Sequence, residues 1–177
     1  MTWFVVDVEA DGPCPGLYSM VSFGVVRFDR YLQTTFYGKT RPLDGAKWDP
    51  EALAISNITH EEHLAYPDSA EVMQRFSAWL RTNCFDGDRP VFVSDNLAFD
   101  WQFVNYYFHR FLGDNPMGYS GRRIGDLYAG FLQRAGASSE WKKLRKTKHT
   151  HHPVDDARGN AEALLQIADM GLVIPGV

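Results

Sequence analysis

The sequence has little cysteine. Cys14 and Cys84 are the only two cysteines among 177 residues, and their spacing matches no paired metal-ligand motif. Two such residues build no disulfide framework, which excludes the class of small secreted domains held together by several disulfides. We therefore expect a reducing, cytoplasmic setting for the chain.

Long apolar runs are also missing. No run approaches the roughly 20 residues that cross a bilayer. The N-terminus has no basic segment, and its first apolar stretch already reaches Asp7, which is unlike a secretory signal peptide. Internal repeats, low-complexity tracts and long linkers are absent as well. The sequence predicts one domain over residues 1–177 and no contact with a membrane.

An excess of positive charge is the third thing the sequence lacks, since its formal net charge is -4. A protein that binds nucleic acid without sequence preference is usually basic. The basic residues cluster instead, at Arg122 and Arg123 and in the run KKLRKTK (Lys142–Lys148), which carries five positive charges. That run is either a solvated face or a patch that attracts phosphates.

Segments rich in Val, Phe, Tyr and Thr, bounded by turn residues, predict strands. These strands are Trp3–Glu9, Tyr18–Asp29, Leu32–Thr40, Pro90–Ser94 and Arg123–Gly125. Capping residues and apolar spacing predict helices at Asp49–Ala54 with Asp49 as cap, Thr59–Glu62, Ser69–Asn83, Ala98–Leu112, a segment capped by Asp126, and Val154–Met170. Three strands followed by alternating helices and strands indicate an α/β fold, a mixed five-stranded sheet flanked by helices.

Two acidic residues end the first predicted strand. Asp7 and Glu9 stand two positions apart, so their side chains point to the same face of a sheet. Two carboxylates held this close repel each other unless a cation lies between them. Carboxylate oxygens suit Mg²⁺ or Mn²⁺. A solvated strand end with two surface acids is the alternative interpretation.

A third acid, Asp100, falls in the first turn of the helix that follows the strand PVFVS. Negative charge is favoured near a helix N-terminus, so an ordinary first-turn acid is one interpretation and a metal ligand is the other. Asn96 precedes this helix. It is interpreted either as the capping residue or as a contact to a nucleic-acid backbone.

A histidine and a fourth acid come near the C-terminus. Asp156 lies in the first turn of the last predicted helix, and His151 lies in the loop before it. Histidine titrates close to neutral pH, so it can accept a proton from an attacking water. His152 is the alternative base and Asp155 is the alternative ligand. A histidine-rich surface loop without catalytic function is the third interpretation.

With these residues in order, the chain resembles the DEDDh exonuclease family of the ribonuclease H-like superfamily. It is closest in character to the branch of ribonuclease T, oligoribonuclease and mycobacterial-type exoribonucleases. The matching motifs are D-x-E at Asp7 and Glu9, N-x-x-F-D at Asn96, Phe99 and Asp100, and H-x-x-x-x-D at His151 and Asp156. The segments ISNIT and IGDLY also resemble family segments.

The resemblance implies a metal-dependent 3′→5′ exonuclease that releases nucleoside 5′-monophosphates. Two Mg²⁺ or Mn²⁺ ions would be held by Asp7, Glu9, Asp100 and Asp156, with His151 as general base. Contacts to the nucleic acid would come from the backbone of Ala10, Asp11 and Gly12, and from Ile58, Asn96 and Phe99.

The compact size of the chain resembles RNA-trimming relatives, so we expect RNA 3′ ends to be preferred over DNA. A DNA exonuclease, a non-catalytic nucleic-acid-binding domain and a phosphodiesterase acting on small dinucleotides are the alternatives. Pro153 and the loop ADGPCPG (residues 10–16) depart from the common family pattern. A homodimer, in which the basic run of one subunit serves the site of the other, is left open by the resemblance.

Overall fold

A mixed five-stranded sheet forms the centre of the computed structural model, which describes residues 1–177. The strands are β1 (Thr2–Ala10), β2 (Met20–Arg27), β3 (Thr35–Lys39), β4 (Pro90–Ser94) and β5 (Gly121–Arg123). Their order across the sheet is β3-β2-β1-β4-β5. The first three strands form an antiparallel meander, and β4 and β5 continue the sheet in parallel with β1. The five-stranded mixed sheet predicted from the sequence is therefore confirmed.

Helices cover both faces of this sheet. They are α1 (Pro50–Ile55), α2 (His60–Leu64), α3 (Ser69–Asn83), α4 (Leu97–Leu112), α5 (Ile124–Phe131) and α6 (Pro153–Asp169), with two short 3₁₀ helices at Ala135–Ala137 and Glu140–Leu144. The sequence-predicted caps of α1 and α2 are confirmed. Asp49 accepts a hydrogen bond from the Glu51 N–H, and Thr59 forms a capping box with Glu62. None of the helices is long and apolar enough to span a membrane.

The alternation of side chains along β1 decides which face carries the acidic residues. Phe4, Val6 and Val8 belong to the core that α3 and α4 cover. Trp3 and Val5 belong to the core on the other face, under α5 and α6. Asp7 and Glu9 continue this second series of positions beyond the buried apolar part of the strand. The carboxylates at the end of β1 are thus directed to the face on which α6 packs.

A glycine in β2 lets the start of α6 approach the sheet. Gly24 is the cross-strand partner of Asp7, and a Cβ atom at Gly24 would lie only 2.2 Å from the carbonyl carbon of Pro153. Any side chain here would push the first turn of α6 away from β2. Because Gly24 has none, the N-terminal end of α6 rests on the sheet directly beside Asp7.

Two predictions for the segment around β5 are wrong. The short strand is Gly121–Arg123 and not Arg123–Gly125, since its ladder with β4 ends where Ser94 pairs with Arg123. The chain turns at once into α5, which begins at Ile124, so Asp126 lies in the first turn and is not the cap. Its carboxylate instead pairs with the Arg123 guanidinium at 2.7 Å.

We expect Gly24→Ala to lower the free energy of unfolding by about 1–3 kcal/mol, because the added methyl group collides with backbone atoms that cannot rotate away. Gly130→Ala is the matched control, since a Cβ there meets no atom within 4 Å. In the last turn of α5 this change should be neutral or stabilise by up to about 1 kcal/mol. Urea denaturation measures both variants. Equal stability of Gly24→Ala and the wild type would contradict the close packing of α6 on β2.

Candidate metal centre and active site

Three carboxylates from two elements meet at the end of β1. Oxygen atoms of Asp7, Glu9 and Asp156 all lie within 4.8 Å of one another. Asp156, in the first turn of α6, is fully buried, whereas Asp7 and Glu9 are partly exposed. The strand and helix spacings that suggested these residues in the sequence thus bring them together in space. We refer to these three residues, with Asp100, as the acid cluster.

Asp100 reaches the same place from the other side of β1. It lies in the first turn of α4 and is 3% exposed, and its Oδ1 accepts a hydrogen bond from the Val8 N–H at 3.2 Å. Burial raises the pKa of the Asp100 carboxyl to about 8. Its negative charge also raises the pKa of Asp7. Asp100 is therefore the neighbour of Asp7 within the acid cluster.

The acid cluster is unfavourable without positive charge. Burial raises the pKa of Asp7 well above its ordinary value, and the charges of Asp100, Glu9 and Asp156 raise it further. Opposing charge nearby would reverse such shifts. The donors are carboxylate oxygens, the hard ligands that Mg²⁺ and Mn²⁺ take in proteins. The chemistry of this donor set fits a divalent cation among Asp7, Glu9 and Asp156, with Asp100 as a further carboxylate next to Asp7.

Glu9 is held by a residue that sequence reasoning missed. The Ser56 hydroxyl, at the C-terminal end of α1, donates a hydrogen bond to Glu9 Oε2 at 2.8 Å. Burial raises the pKa of Glu9, and this hydrogen bond works against the rise. Ser56 lies within the ISNIT segment. Its contact with Glu9 depends on tertiary packing, because 47 residues separate the two.

Both carboxylate oxygens of Asp156 contact donor groups of the protein. Oδ1 accepts hydrogen bonds from Arg145 Nη2 at 2.9 Å and from the Thr150 N–H at 3.0 Å. Oδ2 accepts one from the His151 N–H at 2.9 Å and contacts His149 Nδ1 at the same distance. A cation that binds Asp156 must replace one of these contacts or share an oxygen with it. His149 is the partner with most freedom to leave, since its side chain is 53% exposed.

Arg145 reaches Asp156 across a glycine of α6. A Cβ atom at Gly159 would lie 2.7 Å from Arg145 Nε, so the guanidinium occupies the space that a side chain would fill. Arg145 is only 12% exposed in this position. Of the two interpretations of the basic run, the solvated face is wrong for this residue. The signal that could have found it is the glycine three residues after Asp156, on the same side of α6.

Two of the three histidines before α6, His149 and His151, face the acid cluster, and the third, His152, contacts other residues. His151 Nδ1 lies 3.9 Å from Glu9 Oε1, and the side chain is 41% exposed. His152 Nδ1 lies 3.5 Å from Asp155 Oδ2, and its ring packs against Tyr37. His151 therefore faces the acid cluster through Glu9, whereas the alternative pair, His152 and Asp155, contact each other. His149 also faces the cluster through Asp156, a role that the sequence spacing did not indicate.

The comparisons with known proteins decide the family. A family model described as an exonuclease matches residues 4–164. The chain belongs to this exonuclease family. It is 38% identical over 164 residues to the 3′-5′ DNA exonuclease Cap18 of Escherichia coli, a match that covers 89% of this chain and 86% of the relative. The resemblance to 3′-5′ exonucleases of the DEDDh type is confirmed.

Solved structures share the fold of this exonuclease. The nuclease domain of 3′hExo, a DEDDh family member bound to rAMP, superposes with a TM-score of 0.78 at 15% identity and covers 97% of this chain and 93% of its own. Escherichia coli ExoI in a complex with single-stranded DNA gives 0.71 at 19% identity, with 97% and 41% coverage. The ribonuclease H-like α/β fold expected from the sequence is confirmed by the first comparison.

Asp11, one of the predicted nucleic-acid contacts, stabilises the loop after β1 instead. Its side chain is fully buried and accepts a hydrogen bond from the Ser19 N–H, and its own N–H donates to the Ser19 carbonyl. The Asp11 N–H is taken up by its bond to Ser19 and the carboxylate is buried, so neither group faces solvent. Ala10 and Gly12 are buried as well, and Gly12 lies under the Tyr18 ring.

The other residues predicted to contact nucleic acid, Asn96, Phe99 and Ile58, are more exposed than Ala10, Asp11 and Gly12. Asn96 is the N-cap residue of α4, as one interpretation expected, but its exposed side chain makes no capping hydrogen bond. Phe99 is half-buried and packs against Phe103. Ile58 is half-buried and lines an open groove with Trp48 and His60, whose rings stack 4.2 Å apart.

The raised pKa of Asp100 makes the stability of the metal-free protein depend on pH. The folded value, about 8, lies above the value of about 3.9 expected for an unfolded chain. The Asp100 carboxyl therefore contributes stability at low pH, and this contribution is lost as the pH rises through about 8. We expect Asp100→Asn to flatten the fall in the free energy of unfolding between about pH 5 and pH 8, as measured in EDTA. Identical falls in the variant and the wild type would contradict this.

Proposed function

We propose that this exonuclease shortens single-stranded DNA from the 3′ end by two-metal hydrolysis, releasing nucleoside 5′-monophosphates. The observation that carries the proposal is the meeting of Asp7, Glu9 and Asp156 within 4.8 Å, with Asp100 beside Asp7 and a histidine facing Glu9. Such a carboxylate cage with an adjacent base is what hydrolysis of a phosphodiester requires.

Each residue has a task in this proposal. Asp7, Glu9 and Asp156 would hold one Mg²⁺ or Mn²⁺, and Asp7 with Asp100 would hold the second. When bound, the two ions supply an acidified water and stabilise the charge on the phosphate and on the leaving 3′-oxygen. His151 accepts the proton of the attacking water, because its partly exposed ring lies 3.9 Å from Glu9 Oε1.

The proposed substrate departs from the expectation drawn from the sequence. RNA was favoured there because of the compact size of the chain. The relative that is 38% identical over most of its length is named a DNA exonuclease, and similarity of that extent supports DNA more strongly than chain size supports RNA. RNA remains the second candidate. The cytoplasmic setting, the single-domain extent and the homodimer stay predictions.

The test is a time course on 5′-labelled single-stranded DNA and RNA of one sequence, with Mg²⁺, Mn²⁺ or EDTA. We expect a ladder that shortens from the 3′ end on DNA and disappears in EDTA. His151→Ala should slow cleavage by about 10²- to 10⁴-fold, the usual contribution of a general base. His152→Ala is the matched control and should stay within a few-fold of the wild type.

Three outcomes would change the proposal. Loss of activity in His152→Ala with retention in His151→Ala would overturn the assignment of the base. A ladder on RNA alone would restore the RNA preference expected from the sequence. Absence of cleavage on both polymers would leave the non-catalytic domain, or the phosphodiesterase for small dinucleotides if substrates of two to five residues were then cleaved.

A further inference from the structure

A cleft lined by cations opens beside the acid cluster. It has a volume of about 450 Å³ and no apolar residue in its wall. Four cations line it, Lys142, Arg145, Lys146 and Lys148, together with Thr147, His149 and a single acid, Asp95. We call it the basic cleft. The net charge of the whole chain is -4, so the positive charge is concentrated locally in this cleft.

The basic cleft and the acid cluster are continuous. Arg145 and His149 line the cleft, and both contact the carboxylate of Asp156. A ligand that reaches the acid cluster with one phosphate can therefore place further phosphates in the cleft without leaving the surface.

Two lysines of the basic cleft have no acidic partner. Lys142 forms an ion pair with Asp95 at 2.6 Å, and Arg145 is paired with Asp156. Lys146 and Lys148 are exposed and lie within ion-pair distance of no carboxylate. Their charge is available to a ligand, and the ligand it suits is an anion.

The backbone that carries these lysines is fastened to α6. The Glu162 carboxylate accepts hydrogen bonds from the N–H groups of Lys146 and Thr147 and from the Thr147 hydroxyl. Gln166 Nε2 donates to the Leu144 carbonyl. The main chain of the segment is thereby fixed before any ligand arrives, and only the lysine side chains need to be ordered on binding. That lowers the entropic cost of the contact.

We propose that the basic cleft binds the phosphodiester backbone of the substrate strand. A strand that is cleaved at its 3′ end has further phosphates only on the 5′ side of the terminal nucleotide, so the cleft holds the nucleotides that remain after cleavage. Lys146 and Lys148 contact phosphates, which position the strand without reading its sequence. This inference rests on the proposed function and names the substrate class that the cleft recognises.

The test measures binding without cleavage. Fluorescence anisotropy of a 5′-labelled oligothymidine, about 12 residues long, is recorded in EDTA across a range of salt. Replacing the two lysines in Lys146→Gln/Lys148→Gln should reduce the slope of log K against log salt by about 1.4, since each phosphate contact on a single strand contributes about 0.7. Affinity should fall about 25-fold near 0.1 M salt and converge with the wild type near 1 M.

The matched control removes the same charge elsewhere. Arg75→Gln/Lys143→Gln changes two exposed cations, one on α3 and one in the same basic run but outside the cleft. We expect no change of slope for this variant. Thermal unfolding checks that both double variants are folded. Equal slopes for the cleft variant and the wild type, or equal losses in cleft variant and control, would overturn the proposal.

A second readout separates this inference from the proposed function. The p-nitrophenyl ester of thymidine 5′-monophosphate has one phosphate and cannot fill the cleft. In the cleft variant, kcat/KM on the oligonucleotide relative to kcat/KM on this ester should fall by the same factor as the affinity. If the wild type hydrolyses neither substrate, the proposed function fails while the anisotropy result still decides whether the cleft binds the strand.

Discussion

Mutual repulsion among the carboxylates of the acid cluster is the constraint on which the site depends. Half-buried Asp7 and buried Asp100 lie near one another, and the pKa values of both are raised. The protein tolerates this arrangement because it supplies partial relief, with the Arg145 guanidinium on Asp156 and the Ser56 hydroxyl on Glu9. Divalent cations would complete the neutralisation, so the instability of the cluster and its affinity for metal have the same physical origin.

Two absent side chains make this geometry possible. The start of α6 reaches the sheet because Gly24 leaves room for Pro153, and Arg145 reaches Asp156 because Gly159 leaves room for the guanidinium. The first contact places Asp156 beside Asp7, and the second places a positive charge on it. The acid cluster is thus assembled by close backbone approach as much as by the acidic residues themselves.

Features that depend on local patterns could be predicted from the sequence. Alternation along β1 placed Asp7 and Glu9 on one face, and the capping residues located α1 and α2. Asp126 was misplaced because a three-residue strand gives too short a pattern to fix its register, and the β5 ladder with β4 sets it instead.

Local patterns do not predict contacts between residues that are distant in the chain. Asp11 was expected to contact nucleic acid through its backbone, yet its side chain is buried opposite His63, 3.5 Å from Nδ1. Arg145 resembled one more surface cation, yet it crosses Gly159 to reach Asp156. In both cases the partner is supplied by another element, so only the folded arrangement reveals it. Glu162, which fastens the basic run to α6, belongs to the same group.

The claim that the acid cluster is a metal centre is tested most directly by crystals of the protein soaked with Mn²⁺ and a nucleoside 5′-monophosphate. Anomalous difference density locates the ion without reference to activity. We expect a peak among the carboxylates of Asp7, Glu9 and Asp156, and a second between Asp7 and Asp100. No peak at the cluster, or peaks only at the surface histidines, would contradict the claim.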